Sequence, residues 1–152
     1  MRTPASSQSA GLRPSLTEPI EEHARQLQML RAIATAFDTH DLDAIMAHFA
    51  DDTVFEGPRG TEAWGTRFVG REAVRAAFAA RFSGIPDVRY RQDEHFVDGD
   101  RGASEWTLSG TTTDGERLEI RGCDLWTFRD GKVVKKDSFW KIRPALPPAD
   151  AR

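Results

Sequence analysis

The sequence has few of the features that mark secreted, metal-binding or nucleic-acid-binding proteins. Its single cysteine, Cys123, excludes an intrachain disulfide, and its four histidines lack the Cys/His spacing of a zinc site. The formal net charge of −3 shows no basic excess, which argues against nucleic acid and anionic membranes as partners. No apolar run is long enough to span a membrane. We therefore expect a cytoplasmic protein without a bound metal ion.

Proline is scarce in the middle of the chain and frequent at its ends. Of the eight prolines, three lie in residues 1–20 and three in residues 144–152. Such clustering is typical of loosely held ends. We predict a flexible N-terminal arm over 1–20, one domain over 21–143 and a flexible C-terminal tail over 144–152. A domain of this length is large enough to bury a core.

Apolar periodicity predicts helices in the first half of the chain. Spacings of three and four residues indicate helices over about 21–39 and 71–82. Between them, Asp41 is suited to cap a short second helix that ends near residues 50–52. A short strand over 53–56 and a loop over 59–69 follow that helix.

The pattern changes to strand-like alternation after residue 86. Asp-Gly pairs, which favour hairpins, separate the strand segments. These segments lie near residues 87–97, 102–112, 116–129 and 132–142. Helices followed by a meander of antiparallel strands indicate an α+β fold, with about three helices on one face of a curved sheet.

One carboxylate, Asp124, interrupts an otherwise apolar face of the third of these strands. Strand side chains alternate between faces, so Asp124 shares its face with apolar or small residues. These are Leu118, Ile120, Gly122, Trp126 and Phe128. A carboxylate in such surroundings loses hydration unless it is paired or protonated, and carboxylates of this kind often have chemical roles. Asp124 is our first candidate catalytic residue, and a buried aspartate with a purely structural role is the alternative.

The residue opposite Asp124 depends on the turn of the last hairpin. A three-residue loop over 129–131 pairs Asp124 with Lys136, whereas a two-residue turn pairs it with Asp137. We favour the longer loop, because it places Lys136, Ser138 and Trp140 on the Asp124 face. An ammonium group there would offset a buried carboxylate. Lys136 is therefore our second candidate catalytic residue.

Three of the four tryptophans fall on this same predicted face, which suggests a flat-walled pocket for an apolar or aromatic small molecule. Small residues in the same registers, Gly110 and Gly122, suggest open space beside the tryptophans. Ordinary core filling is the alternative for each large side chain. The residues that we expect to bind substrate are Trp106, Trp126, Trp140, Leu108, Phe128, Ile33 and Phe55.

The opposite face of the predicted sheet mixes polar and apolar side chains. It carries Glu105, Thr107, Ser109, Glu119, Arg121, Cys123, Leu125 and Thr127. A fully solvated face would be more charged, so we expect this outer face to form a symmetric homodimer interface.

Several short motifs, taken in their order, resemble the SnoaL-like polyketide cyclases and ketosteroid isomerases of the nuclear transport factor 2-like superfamily. They are residues 41–45 with 49–52, the strand end Glu56-Gly57-Pro58, residues 70–75, and residues 122–128 followed by 130–134. The resemblance implies a cone-shaped α+β fold that encloses an apolar pocket, usually as a homodimer packed through the outer sheet face. The same fold hosts several unrelated reactions.

The resemblance transfers only part of the isomerase site to this chain. The protonated aspartic acid of the isomerase oxyanion hole falls on Asp124, but its tyrosine falls on Ile33 and its base on Gly57. The neighbouring Glu56 is expected to face away from the pocket by strand parity. We therefore expect a small cofactor-independent enzyme that uses acid/base chemistry for isomerisation, cyclisation or dehydration of an apolar carbonyl compound. A non-catalytic small-molecule-binding or accessory domain is the alternative.

Overall fold

A computed structural model describes residues 17–147, except for the side chains of Gln92 and Asp93. The three helices are α1 (Thr17–Asp38), α2 (Leu42–Met46) and α3 (Arg71–Gly84). The six strands are β1 (Phe49–Glu56), β2 (Arg67–Val69), β3 (Arg89–Asp98), β4 (Arg101–Thr111), β5 (Arg117–Arg129) and β6 (Lys132–Trp140). Three helices and one large curved sheet confirm the predicted α+β cone.

The strands form a single sheet in the order β2-β1-β6-β5-β4-β3. Neighbouring strands are antiparallel except β1 and β6, which are parallel. The prediction of a wholly antiparallel sheet therefore needs correction at this pair. A tight turn forces antiparallel pairing, but β1 and β6 are separated by most of the domain, so no turn fixes their relative direction.

Several element boundaries differ from the predicted ones. Helix α1 begins at Thr17, so residues 17–20 are helical, whereas the rest of the predicted arm and residues 148–152 lie outside the described residues. Asp41 does cap α2, since its Oδ1 accepts a hydrogen bond from the Ala44 amide at 3.0 Å. Helix α2 is nevertheless only five residues long, and Phe49 already belongs to β1. Strand β2 lies within the segment predicted as a loop.

The last hairpin combines a two-residue turn with a bulge. Asp130 and Gly131 have positive φ angles of 51° and 72°, and Phe128 pairs with Val133. The next pair is Thr127 with Lys135, because one extra residue of β6 bulges out between them. Both predicted registers were therefore wrong: Asp124 lies opposite Ser138. The bulge restores the parity of the strand, so Lys136, Ser138 and Trp140 still share the face of Asp124.

The helices cover the concave face of the sheet and bury two groups of apolar side chains. The larger group includes an edge-to-face aromatic assembly of Phe37, Phe49, Phe78 and Trp126. The smaller group contains Ile85, Val88, Trp106 and Leu108. Phe82 and Tyr90 pack against both groups. Asp124 lies on the same concave face, between Trp126 and Gly122, so its burial follows from the packing of the helices.

Candidate functional site

Asp124 is 6% exposed and accepts three hydrogen bonds from side chains. Its Oδ1 accepts from Lys136 Nζ at 2.8 Å and from Ser138 Oγ at 2.5 Å, and its Oδ2 accepts from Trp106 Nε1 at 2.9 Å. All three partners are donors, so both carboxylate oxygens act as acceptors. An ionised carboxylate offers about four acceptor positions, so one position on Oδ2 remains for a ligand or water.

Lys136 is 7% exposed and surrounded by aromatic rings. Its Nζ donates to Ser138 Oγ at 2.7 Å in addition to Asp124, and it lies 4.9 Å from the Phe55 ring centroid and 5.5 Å from that of Trp126. Burial lowers the pKa of Lys136, and the Asp124 carboxylate opposes this effect. The two residues thus form a buried ion pair in which each charge depends on the other.

A second polar group lies beside this pair, on β3 and β4. Ser104 is the residue opposite Asp124 on β4, and its Oγ accepts a hydrogen bond from Trp126 Nε1 at 2.9 Å. The same Oγ lies 2.7 Å from His95 Nδ1. Burial lowers the pKa of His95, and Arg31 adds to this effect. His95 therefore favours its neutral form, which is able to accept or donate a proton near neutral pH.

These side chains line a small cavity beside Asp124. Its volume is about 50 Å³, enough for a few water molecules or for one functional group of a ligand. The polar residues in its lining are Asp124, Lys136, Ser138, Ser104, His95, Tyr90 and Arg81. A whole aromatic substrate does not fit in this space as it stands, because small-molecule sites usually exceed about 300 Å³.

A larger groove adjoins the cavity on the side of β1 and α3. Its volume is about 370 Å³, and it shares five lining residues with the cavity. The shared residues are Phe55, Pro58, Ala77, Arg81 and Trp140. The groove therefore leads to the cavity past an apolar wall and one arginine.

The structure brings together most of the residues that the sequence singled out. Asp124 and Lys136 form the ion pair, and Trp106, Trp126, Trp140, Ile33 and Phe55 line the cavity. Leu108 and Phe128 do not line it. Leu108 packs in the smaller apolar group and Phe128 in the larger one.

The small residues on this face do not leave open space, contrary to our prediction. A side chain at Gly122 would meet the Trp106 indole, and one at Gly110 would lie 2.5 Å from Ile85. These glycines let large neighbours pack directly against the strand backbone. The Trp106 ring thereby comes close enough to donate to Asp124.

Sequence reasoning did not place Tyr90, Arg81 or His95 in the site, although all three line the cavity. Tyr90 faces the cavity from β3, and burial raises its pKa above the ordinary value, with Arg81 opposing and Asp124 adding to the rise. Its hydroxyl is therefore protonated at neutral pH. Tyr90 lies opposite Leu108, and residues opposite each other share a face. The register of β3 against β4 could therefore have placed Tyr90 on the inner face.

Glu56 is buried but faces away from the cavity. Its carboxylate pairs with Lys135 Nζ at 2.7 Å and with Arg67 at 3.5 Å. Neither residue lines the cavity. Glu56 thus belongs to a separate ion-pair group at the β1–β6 edge.

Within residues 17–147, no cluster of three or more histidine, cysteine, aspartate or glutamate residues is placed to hold a metal ion. In the same part of the chain, every helix is too short or too polar to cross a membrane.

The sequence profile of the SnoaL-like domain matches residues 30–136, which is most of the chain. The chain belongs to the SnoaL-like domain family. Within the nuclear transport factor 2-like fold, this SnoaL-like domain is similar to a solved protein of unknown function from Mesorhizobium loti, at 26% identity and a TM-score of 0.68. That similarity covers 80% of this chain and 94% of the other. A comparison with curated proteins finds no match.

Two other solved structures share the fold at lower identity and were crystallised with small molecules. TerC, crystallised with polyporic acid, is 20% identical to this chain, with a TM-score of 0.67. The similarity covers 77% of this chain and 92% of TerC. A ketosteroid isomerase-like protein from Catenulispora acidiphila, with trimethylamine, is 19% identical with a TM-score of 0.66. The latter similarity covers 76% of this chain and 86% of the other.

Proposed function

We propose that this SnoaL-like domain is a cofactor-independent enzyme that uses acid/base chemistry on an apolar, carbonyl-bearing small molecule. The observation that carries the proposal is a buried carboxylate, Asp124, with one unused acceptor position on a cavity wall. Lys136 and Ser138 hold this carboxylate in one orientation. An oriented, poorly hydrated carboxylate is suited to remove a proton from carbon.

The proposed reaction begins at the carbon next to a carbonyl group. Asp124 Oδ2 takes a proton from this carbon, and the electron pair of the C–H bond moves to give an enolate. The Tyr90 hydroxyl, which is protonated at neutral pH, donates a hydrogen bond to the enolate oxygen. Return of the proton from Asp124 to another carbon gives isomerisation. Attack of the enolate carbon on a second carbonyl gives cyclisation, and Asp124 then protonates the new alkoxide. Loss of a β-hydroxyl group gives dehydration, and Asp124 protonates this group as it leaves as water. No oxidant or reductant is needed.

Proton abstraction is testable without knowledge of the natural substrate. In deuterated water, the protein should accelerate exchange of the α protons of 2-tetralone, a readily enolised ketone with benzylic α protons, as followed by proton NMR. Asp124→Asn should lower this acceleration by about 100-fold or more. Asp130→Asn is the matched control, because Asp130 lies at the exposed tip of the same hairpin, where asparagine tolerates a positive φ. Full acceleration in folded Asp124→Asn and Asp124→Ala would remove Asp124 from the mechanism.

A non-catalytic binding role is the second candidate. Two observations favour it: three donors already satisfy most of the Asp124 carboxylate, and the cavity of about 50 Å³ is small. The small molecules bound to two structural neighbours are compatible with this role. It predicts that aryl ketones bind to the wild-type protein without any acceleration of exchange.

We also propose that the protein is a homodimer through the outer face of the sheet. Phe96 on β3 and Phe139 on β6 project from this face, and each is 49% exposed. Leu125 and Cys123 on β5 are half-buried beside them. Exposed aromatic rings among polar side chains are typical of interface cores.

A further inference from the structure

The charges around the cavity do not balance. Asp124 and Lys136 cancel each other, but Arg81 of α3 also lines both the cavity and the groove. Within residues 17–147, no carboxylate lies within ion-pair distance of Arg81. Its guanidinium carbon instead lies 4.5 Å from the ring centroid of Trp140. The passage between groove and cavity thus carries an uncompensated positive charge.

A second arginine faces the same indole. Arg59, in the loop between β1 and β2, has its guanidinium carbon 5.3 Å from the Trp140 ring centroid. Burial lowers the pKa of Arg81, Tyr90 opposes this effect and the nearby charge of Arg59 adds to it. Among the described residues that line the groove, Glu116 is the one carboxylate, and it forms no ion pair with either arginine.

Two guanidinium groups on one aromatic ring repel each other unless an anion lies between them. Arginine binds carboxylates in a planar, two-pronged geometry, and an aromatic face stabilises the cation from behind. The remaining wall shared by groove and cavity is apolar, formed by Phe55, Pro58 and Ala77. A ligand that satisfies both features has an aromatic body and one negative group.

We propose that Arg81 and Arg59 form a carboxylate-binding subsite, and that the ligand of this protein is an aromatic carboxylic acid. The carboxylate lies at the two arginines, the ring lies along Phe55, Pro58 and Ala77, and the opposite end reaches the cavity beside Asp124. This inference rests on the proposed function, since it specifies the substrate class of the same site.

Two naphthalene compounds of matched shape test the subsite by isothermal titration calorimetry. One is 2-naphthoate, which carries a carboxylate, and the other is 2-acetonaphthone, which carries a neutral ketone in its place. The wild-type protein should bind 2-naphthoate at least about tenfold more tightly. Arg81→Gln should abolish this preference without weakening the ketone, and Arg81→Lys should retain part of it. Arg59→Gln should reduce the preference.

Arg75→Gln is the matched control, because Arg75 lies on the same helix outside the groove and pairs with Asp43. Equal affinities of the wild-type protein for both compounds, absence of naphthoate binding, or an unchanged preference in Arg81→Gln would each overturn the subsite. These results are independent of the exchange assay on 2-tetralone, which carries no charge. Loss of exchange in Asp124→Asn with an intact preference for naphthoate separates the two proposals.

Discussion

Lys136 Nζ lies 2.8 Å from Asp124 Oδ1, although the residue directly opposite Asp124 is Ser138. Lys136 reaches the carboxylate diagonally, from the position opposite Trp126. Ser138 then bridges the two charges, since its hydroxyl accepts from the ammonium and donates to the carboxylate. The bulge in β6 creates this arrangement, because without it Asp137, a like charge, would lie opposite Asp124 on the inner face, and Lys136 and Ser138 would turn to the outer face.

Removal of Lys136 alone should be far more harmful than removal of the whole ion pair. Lys136→Met leaves the Asp124 carboxylate buried without its counter-ion, and we expect a loss of about 3–5 kcal/mol in the free energy of unfolding. The double variant Asp124→Asn, Lys136→Met should recover a large part of this loss, because no buried charge remains. Urea unfolding of the single and double variants gives the coupling energy directly.

The control for this cycle is an exposed ion pair of similar length. Arg129 Nη2 lies 2.6 Å from Asp52 Oδ1 at the surface, where water screens the pair, so Arg129→Met should leave the free energy of unfolding almost unchanged. Similar losses for Lys136→Met and Arg129→Met would contradict our account of the buried pair.

Gly122→Ala should destabilise the protein through Trp106. The new methyl group would meet the indole ring and lie 2.5 Å from the carbonyl oxygen of Phe139. We expect a loss of about 1–3 kcal/mol, typical of overpacking, with a weaker hydrogen bond from Trp106 to Asp124. Thermal unfolding measures the loss. Gly84→Ala is the control. Apart from its chain neighbours and the backbone of its own helix, no atom lies within 4 Å of the added methyl group, and the φ of Gly84 is not positive, so the stability of this variant should be unchanged or higher.

His95 should make the stability depend on pH below neutrality. Its folded-state pKa lies below the ordinary value of about 6.5 because burial disfavours the charged ring. As the pH falls, the unfolded chain therefore binds this proton first. The stability contributed by neutral His95 is complete above about pH 6.5 and is lost as the pH falls towards the folded-state pKa.

Two measurements check the behaviour of His95. An NMR titration of its ring should give a pKa below about 6.5. The melting temperature of His95→Gln should fall less between neutral and mildly acidic pH than that of the wild type. A ring that titrates above its ordinary value would show that the contact with Ser104 stabilises the imidazolium instead.

Phe139→Glu should prevent dimer formation through the outer sheet face. A carboxylate at this half-exposed position would be brought close to its symmetry mate in an isologous interface and would lose hydration there. Size-exclusion chromatography with light scattering should change from a dimer to a monomer. Ile20 is exposed on the first turn of α1, so Ile20→Glu should leave the molecular mass of the dimer in solution unchanged. A monomeric wild type would remove the dimer proposal.

The main elements of the site follow from the period of the strands. Because alternate residues of a strand share a face, the sequence alone places Asp124 with Trp126, and Trp106 with Leu108, on the inner side. Lys136 joins them both in the register that we favoured, with Asp124 opposite Lys136, and in the observed one, with Asp124 opposite Ser138, because the two registers differ by an even number of residues. The local period therefore predicts which face a residue occupies, even where the exact partner is wrong.

The remaining features depend on long-range packing. The parallel pairing of β1 with β6 has no local signal, since no turn connects these strands. Arg81 of α3 lies next to Trp140 of β6, and no local pattern brings these distant parts of the chain together. The bulge that moves Ser138 opposite Asp124 has no distinctive residue. The volume of the cavity also depends on how closely the Trp106 ring packs against Gly122, which the composition does not reveal.

The place of β6 in the sheet has a consequence for biosynthesis. This strand is the last of the described strands, yet it lies between β1 and β5 near the middle of the sheet. The ribosome releases residues 132–140 after all the other described strands. The edges of β1 and β5 that pair with β6 therefore remain unpaired until then. The Asp124 carboxylate likewise lacks its counter-ion until Lys136 has been released. The sheet is therefore completed only after nearly the whole domain has left the exit tunnel, and folding with such distant contacts is slow.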